Sequence, residues 1–214
     1  MADKDDINDK YILFLGDSIA RHYYDYANDY LKKINIRSIT PEKWVSVQWK
    51  QARTVDGWFT PKRRYGDLPG HCVCNAKYVH FNFGLHYIKL PNKGHDPEHQ
   101  RATEEQINSF RTDLEIHIDL IRKYKRVPMF TNTTPNPENA GMRNDKDVVI
   151  LNEIATEVTN SKSVPYNDIY SFVKKQNNYH ELYMHPHARN NCHFNETGRK
   201  ILGEEIAKFV NENV

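Results

Sequence analysis

Short, unbroken apolar runs alternate with longer stretches of helical periodicity along most of this chain. Tyr11-Ile12-Leu13-Phe14-Leu15 is the first run, closed by Gly16. An apolar run without polar alternation suits a strand buried on both faces, as in a parallel sheet. Residues 18–33 then read as a helix, and the alternation of Val45 to Trp49 as a second strand. Tyr78-Val79-His80-Phe81-Asn82-Phe83 is a third strand, closed by Gly84. In 103–124, Ile107, Phe110, Leu114, Ile118 and Ile121 recur at three- and four-residue steps, the stripe of an amphipathic helix. Val127 to Thr131 is a fourth strand. The two prolines of Thr133-Thr134-Pro135-Asn136-Pro137 make the next segment a loop. Val148, Val149, Leu151, Ile154, Ala155 and Val158 form another helical stripe, and Ser163 to Tyr166 a short fifth strand. Asn195 can cap a last helix whose apolar face is Ile201, Leu202, Ile206, Phe209 and Val210.

Strand and helix alternating in this way predict an α/β chain: an α/β/α sandwich around a sheet of about five parallel strands with right-handed crossovers. Such folds place their chemistry at the carboxyl ends of the strands. The segments to search are therefore those after Leu15, Trp49, Phe83 and Thr131, and the loop before the last helix.

The 214 residues suit one domain, with a polar tail over 1–9 and the folded domain over 10–214. Hydrophobic residues make up 38%, which leaves room for long polar loops. Aromatics at 12%, with 13 Tyr and 9 Phe, offset part of that deficit in the core. Lys and Arg number 30 against 28 Asp and Glu, and this near balance gives no electrostatic reason to expect nucleic acid. No apolar run is long enough to cross a membrane. The acidic, polar residues 1–10 do not read as a signal peptide. Cys72, Cys74 and Cys192 are too few for a disulfide framework and read as free thiols. A cytoplasmic location is the expectation, and the sequons at Asn132 and Asn195 are then incidental.

Gly16-Asp17-Ser18-Ile19-Ala20-Arg21 follows the first strand. A serine at a strand-to-helix turn sits where backbone N–H groups point outward and favour negative charge. It can act as a nucleophile if a base reaches it, or simply cap the helix. Phe81-Asn82-Phe83-Gly84-Leu85-His86 ends the third strand. Asn190-Asn191-Cys192-His193-Phe194-Asn195 leads into the last helix, so His193 falls at the same sheet edge as Ser18.

Together these segments resemble the SGNH (GDSL-type) hydrolase superfamily over nearly the whole chain. Gly16-Asp17-Ser18 is similar to its first block, and Gln51-Ala52-Arg53-Thr54 to its second, with Ala52 in place of the usual Gly. His80 to His86 resembles the third block of a subgroup. Thr133-Thr134-Pro135 and Asn167-Asp168-Ile169-Tyr170 resemble later segments of the same subgroup. The resemblance implies a flavodoxin-like sandwich, no metal or organic cofactor, and acyl transfer from an ester. Ser18 would be the nucleophile and His193 the general base. The oxyanion would be held by the backbone N–H groups of Ser18 and Ala52, with His86 or Asn82 completing the hole. Asn82 also suits inward structural use, because it ends a strand.

Asn190 departs from the family pattern, which has Asp three residues before the catalytic His. An amide oxygen can orient an imidazole but cannot supply charge to an imidazolium. A Ser-His-Asn site, an acid from elsewhere such as Asp168, and lost catalysis all remain readings. Arg21 and His187 are candidate substrate contacts. Arg21 can instead pair with a carboxylate, and His187 can belong to a solvated loop, 184–189. Cys192, beside His193, is a second nucleophile or a packing residue. His71-Cys72-Val73-Cys74 matches no common zinc spacing. The function this implies is hydrolysis of a carboxylic ester, with a small-molecule or glycan O-acyl group as substrate. An O-acyltransferase using the same site, or a binding module on a decayed scaffold, are the rivals. Tyr87, where the subgroup commonly has Asp or another polar residue, fits the latter.

Overall fold

The computed structural model describes residues 8–40, 76–90, 101–137, 143–184 and 192–214. The expected strand Val45 to Trp49, the 51–54 block with Ala52, the His71–Cys74 segment, His187 and Asn190 lie outside them.

Five parallel strands form one sheet in the order β2-β1-β3-β4-β5. They are β1 (Asn8–Gly16), β2 (Arg37–Ile39), β3 (Ala76–Asn82), β4 (Val127–Thr131) and β5 (Tyr166–Asn167). The helices are α1 (Ser18–Lys33), α2 (Glu104–Lys123), α3 (Asp145–Ser161), α4 (Ile169–Lys174) and α5 (Glu196–Glu212), with a 3-10 turn at Tyr179–Leu182. The fold is the α/β sandwich that the alternating pattern implies.

Three differences from the sequence reading have local causes. β1 begins at Asn8, inside the segment read as a tail, because it pairs with Ala76 at the start of β3. β2 is a three-residue edge strand without an apolar run, and its first residue is exposed. β5 starts at Tyr166 rather than Ser163. Ser163 has φ 49°, and its N–H still bonds Asn160 of the departing helix. Pro165 has no N–H to give, but its carbonyl accepts from Phe130 N at 2.9 Å.

The sheet is covered on both faces, and β3 shows how. His80 points to the α1/α5 side, where its ring lies 4.7 Å from Phe14 and 6.2 Å from Tyr23, with Phe209 beyond. The strand's two-residue period turns Phe81 and, just past its end, Phe83 to the opposite face. Phe83 there meets Phe110 of α2 at 5.5 Å and Phe130 of β4 at 5.8 Å. Each such edge-to-face pair adds about 0.5–1.5 kcal/mol beyond area burial. α1 and α5 pack against each other, closely enough that Gly203 of α5 sits on the backbone of Tyr23 and Ala27. No helix among the described residues is long and apolar enough to cross a membrane.

Caps fix where helices begin. Thr103 and Gln106 exchange backbone and side-chain hydrogen bonds at the start of α2, a capping box. Asn195 Oδ1 accepts from Gly198 N at 3.0 Å at the start of α5.

Candidate active site

Ser18 is the first residue of α1, directly beyond the carboxyl end of β1. The residue that caps α1 is Asp17: its Oδ1 accepts from Ile19 N at 2.9 Å. The capping alternative for Ser18 is therefore taken by its neighbour, and the serine hydroxyl is left for other partners. The turn is pinned from below, since Asp17 N donates to Asn82 O at 3.3 Å and Gly16 is in register with Asn82.

His193 is held by its neighbours on both sides. Tyr183 and Phe194 form an antiparallel bridge and stack with ring centroids 4.5 Å apart. Met184 N donates to His193 O at 2.8 Å, and Asn195 N to Leu182 O at 2.8 Å. Tyr183 is anchored in turn through its hydroxyl to Pro135 O at 2.7 Å. The result brings His193 Nε2 to 2.9 Å from Ser18 Oγ, across 175 positions of sequence. With its proton on Nδ1, the ring accepts the serine hydroxyl's hydrogen.

Burial holds the His193 pKa below 6.5, helped by Arg143 and Arg199, while Asp17 pulls it upward. The imidazole is thus neutral, and able to take a proton, at ordinary pH. Asp17 is buried, and that burial raises its carboxyl pKa against the pull of His86, the Ile19 N–H and Arg143. Asp17 is a negative group whose charge reaches His193. Asp168, the other conceivable acid, caps α4 at Ser171 N and accepts from Asn132 Nδ2 at 2.8 Å. It belongs to the β4–β5 edge.

The carboxyl ends of the strands are tied by asparagines. Asn82 Nδ2 donates to Thr131 O at 3.0 Å and to Asn132 O at 2.7 Å. Both amide hydrogens are spent on the neighbouring strand, so Asn82 has none for an oxyanion, and that candidate role is corrected. Asn132 repeats the pattern one strand further on, donating to Tyr166 Oη and Asp168 Oδ1, each at 2.8 Å. His86 is the third-block side chain that stays exposed. Partial burial of its ring and the charges of Arg143 and Lys89 lower its pKa, and Asp17 opposes them. Tyr87, by contrast, is buried against Phe83 and Phe110, with its hydroxyl on Asp113 Oδ2 at 2.5 Å, a packing arrangement. Arg21 is exposed and makes no ion pair among the described residues. Cys192 is buried and its thiol pKa is pushed up by that burial, which disfavours the thiolate a nucleophile needs.

Two neighbours of the Ser-His pair escaped the sequence reading. His22 lies four residues after Ser18 on α1, and its ring centroid is 4.9 Å from that of His193. Burial and the charges of Arg199, His193 and Arg21 push its pKa down to about 4. Helical spacing from Ser18 was the signal that could have found it. Arg143 comes from a loop, and nothing local marks it. Its Nε donates to Leu85 O at 2.7 Å, and its Nη1 lies 3.7 Å from Cys192 Sγ. No group of three or more His, Cys, Asp or Glu among the described residues is placed to hold a metal.

No protein-family model and no curated protein matches this sequence. Solved structures do. A lipase/acylhydrolase from Enterococcus faecalis aligns with TM-score 0.66 at 16% identity, over 95% of this chain and 96% of its own. An acetyl xylan esterase from Geobacillus stearothermophilus aligns with TM-score 0.62 at 12% identity, over 95% of each chain. A GDSL-like lipase from Bacteroides thetaiotaomicron gives TM-score 0.56 at 12% identity, over 96% of this chain and 89% of that one. What this likeness shows is the fold.

Proposed function

We propose that this chain, built on the SGNH hydrolase fold, is a serine ester hydrolase acting on an O-acyl group, with a carbohydrate ester as the substrate class. The observation that carries the reading is the 2.9 Å separation of Ser18 Oγ and His193 Nε2 at the carboxyl edge of the sheet. Acyl-ester hydrolases among the structural neighbours, including an acetyl xylan esterase, support it.

Ser18 Oγ attacks the ester carbonyl carbon as His193 Nε2 takes its proton. The tetrahedral oxyanion collapses, the C–O bond to the alcohol breaks, and His193 returns the proton to the leaving oxygen. Water then repeats the sequence on the acyl-Ser18 ester, giving the carboxylic acid and free serine. In this reading the Ser18 N–H and the positive end of α1 stabilise the oxyanion. His86 is the remaining third-block donor. The charge of Asp17 favours the imidazolium formed in each step.

Initial rates with p-nitrophenyl acetate test the reading, comparing wild type with Ser18→Ala and His193→Ala. Removing a member of such a pair costs on the order of 10⁴-fold or more in kcat. Equal rates for all three proteins would overturn it.

A further inference from the structure

Arg143 lies between the two segments that flank Ser18. It grips Leu85 O on the loop that carries His86, and it approaches Cys192 Sγ beside His193. The residue is only 9% exposed. A guanidinium at that depth ordinarily meets a carboxylate, because an unpaired buried charge is costly. Arg143 has no carboxylate within ion-pair distance among the described residues. Among the described residues its hydrogen-bond partners are one carbonyl and one sulfur, which leaves its Nη2 edge uncommitted there.

The surrounding charges are one-sided. The charge of Arg143 bears on Asp17, His86, Cys192 and His193, the titratable groups around Ser18. Arg199 adds a second positive charge at His193, and Arg21 a third at His22. Against them stands the carboxyl of Asp17, which is committed to the Ile19 N–H.

We propose that Arg143 is the anion-binding residue of this site, and that the group its uncommitted guanidinium edge receives is a carboxylate. Resting on the ester-hydrolase reading, this admits two sources. Hydrolysis turns R–CO–OR′ and water into R–COO⁻, R′–OH and a proton, so the acid half is one carboxylate. A uronic-acid group on the alcohol half is the other. A planar guanidinium edge suits either one, since it can donate two parallel N–H bonds.

Saturation-transfer NMR titrations of acetate, glucuronate and glucose test this without turnover, in wild type and Ser18→Ala. Carboxylate binding well above that of glucose is expected in both proteins. Tighter acetate assigns the subsite to the acid half, and tighter glucuronate to the alcohol half. Arg143→Gln should weaken carboxylate binding by about ten- to hundredfold, the scale of a charge-assisted contact. Arg143→Lys, which keeps the charge but loses the fork, should fall between. Carboxylates that bind wild type no better than glucose, or binding unchanged in the Arg143 variants, would overturn the proposal. If Arg143→Gln does not fold, Arg143→Lys and the wild-type titrations decide. A wild type that is inert towards p-nitrophenyl acetate yet binds carboxylate through Arg143 would sink the esterase reading and keep this one.

Discussion

His80 makes the fold sensitive to acid, by an amount that can be worked out. Its ring is fully buried among Phe14, Tyr23 and Phe209, Nε2 is 2.8 Å from Thr131 Oγ1, and Nδ1 has no partner. Burial lowers its pKa from 6.5 to about 3. Between those values the unfolded chain binds one proton more than the folded one, so stability rises with pH across this window. His80's contribution is complete above 6.5 and is lost as pH falls towards 3. The slope is about 1.4 kcal/mol per pH unit, so the loss is about 1.4 kcal/mol one unit below 6.5 and about 2.7 kcal/mol two units below. Urea unfolding followed across that range, in wild type and His80→Phe, measures it. The substitution removes the Thr131 contact, but that cost does not vary with pH. His117 is also buried and also has a lowered pKa, but it is common to both proteins and cancels. The stability difference between the two proteins should therefore change by about 2.7 kcal/mol from the plateau above pH 6.5 to two units below it. Parallel pH profiles would refute the buried, neutral His80.

The candidate active-site edge gives two further predictions. A Cβ on Gly16 would run into Ala20 Cβ and Asn82 O, so Gly16→Ala should cost about 1–3 kcal/mol in urea unfolding and lower esterase kcat by about tenfold through displacement of Ser18. The acid limb of kcat/KM should report His193 in the free enzyme with an inflection below 6.5. Arg199→Gln removes a charge that holds His193 down, so the limb should move to higher pH. A limb that stays put or moves lower would rule out this account of its pKa.

Local pattern carried much of the fold into view. β4 and α1 have the bounds their residues imply, because a five-residue apolar strand and a turn-to-helix signal are decided within one or two turns of chain. β2 was not legible, since an edge strand of three residues buries too little to need an apolar run. α4 went unread for a similar reason: its six residues are too short to show a period. The order of the blocks pointed to Ser18 and His193 and weighed against a Ser18 that only caps the helix. The structure adds that Asp17, not Ser18, takes the cap.

What the sequence determined by itself was the layering, strand against helix, and the sheet edge at which reactive side chains gather. Burial period and turn chemistry are local, and the carboxyl ends of parallel strands share one edge. The tertiary structure decided how those side chains are used. It turned both Asn82 hydrogens onto carbonyls 49 and 50 positions away, removing a candidate oxyanion donor. It laid His22 against His193, and it drove Arg143, which has no carboxylate partner among the described residues, in between Leu85 and Cys192, 58 and 49 positions away. Hydrogen bonds and charges act over a few ångströms of space whatever the separation along the chain. Their partners become visible only once distant segments have been packed together.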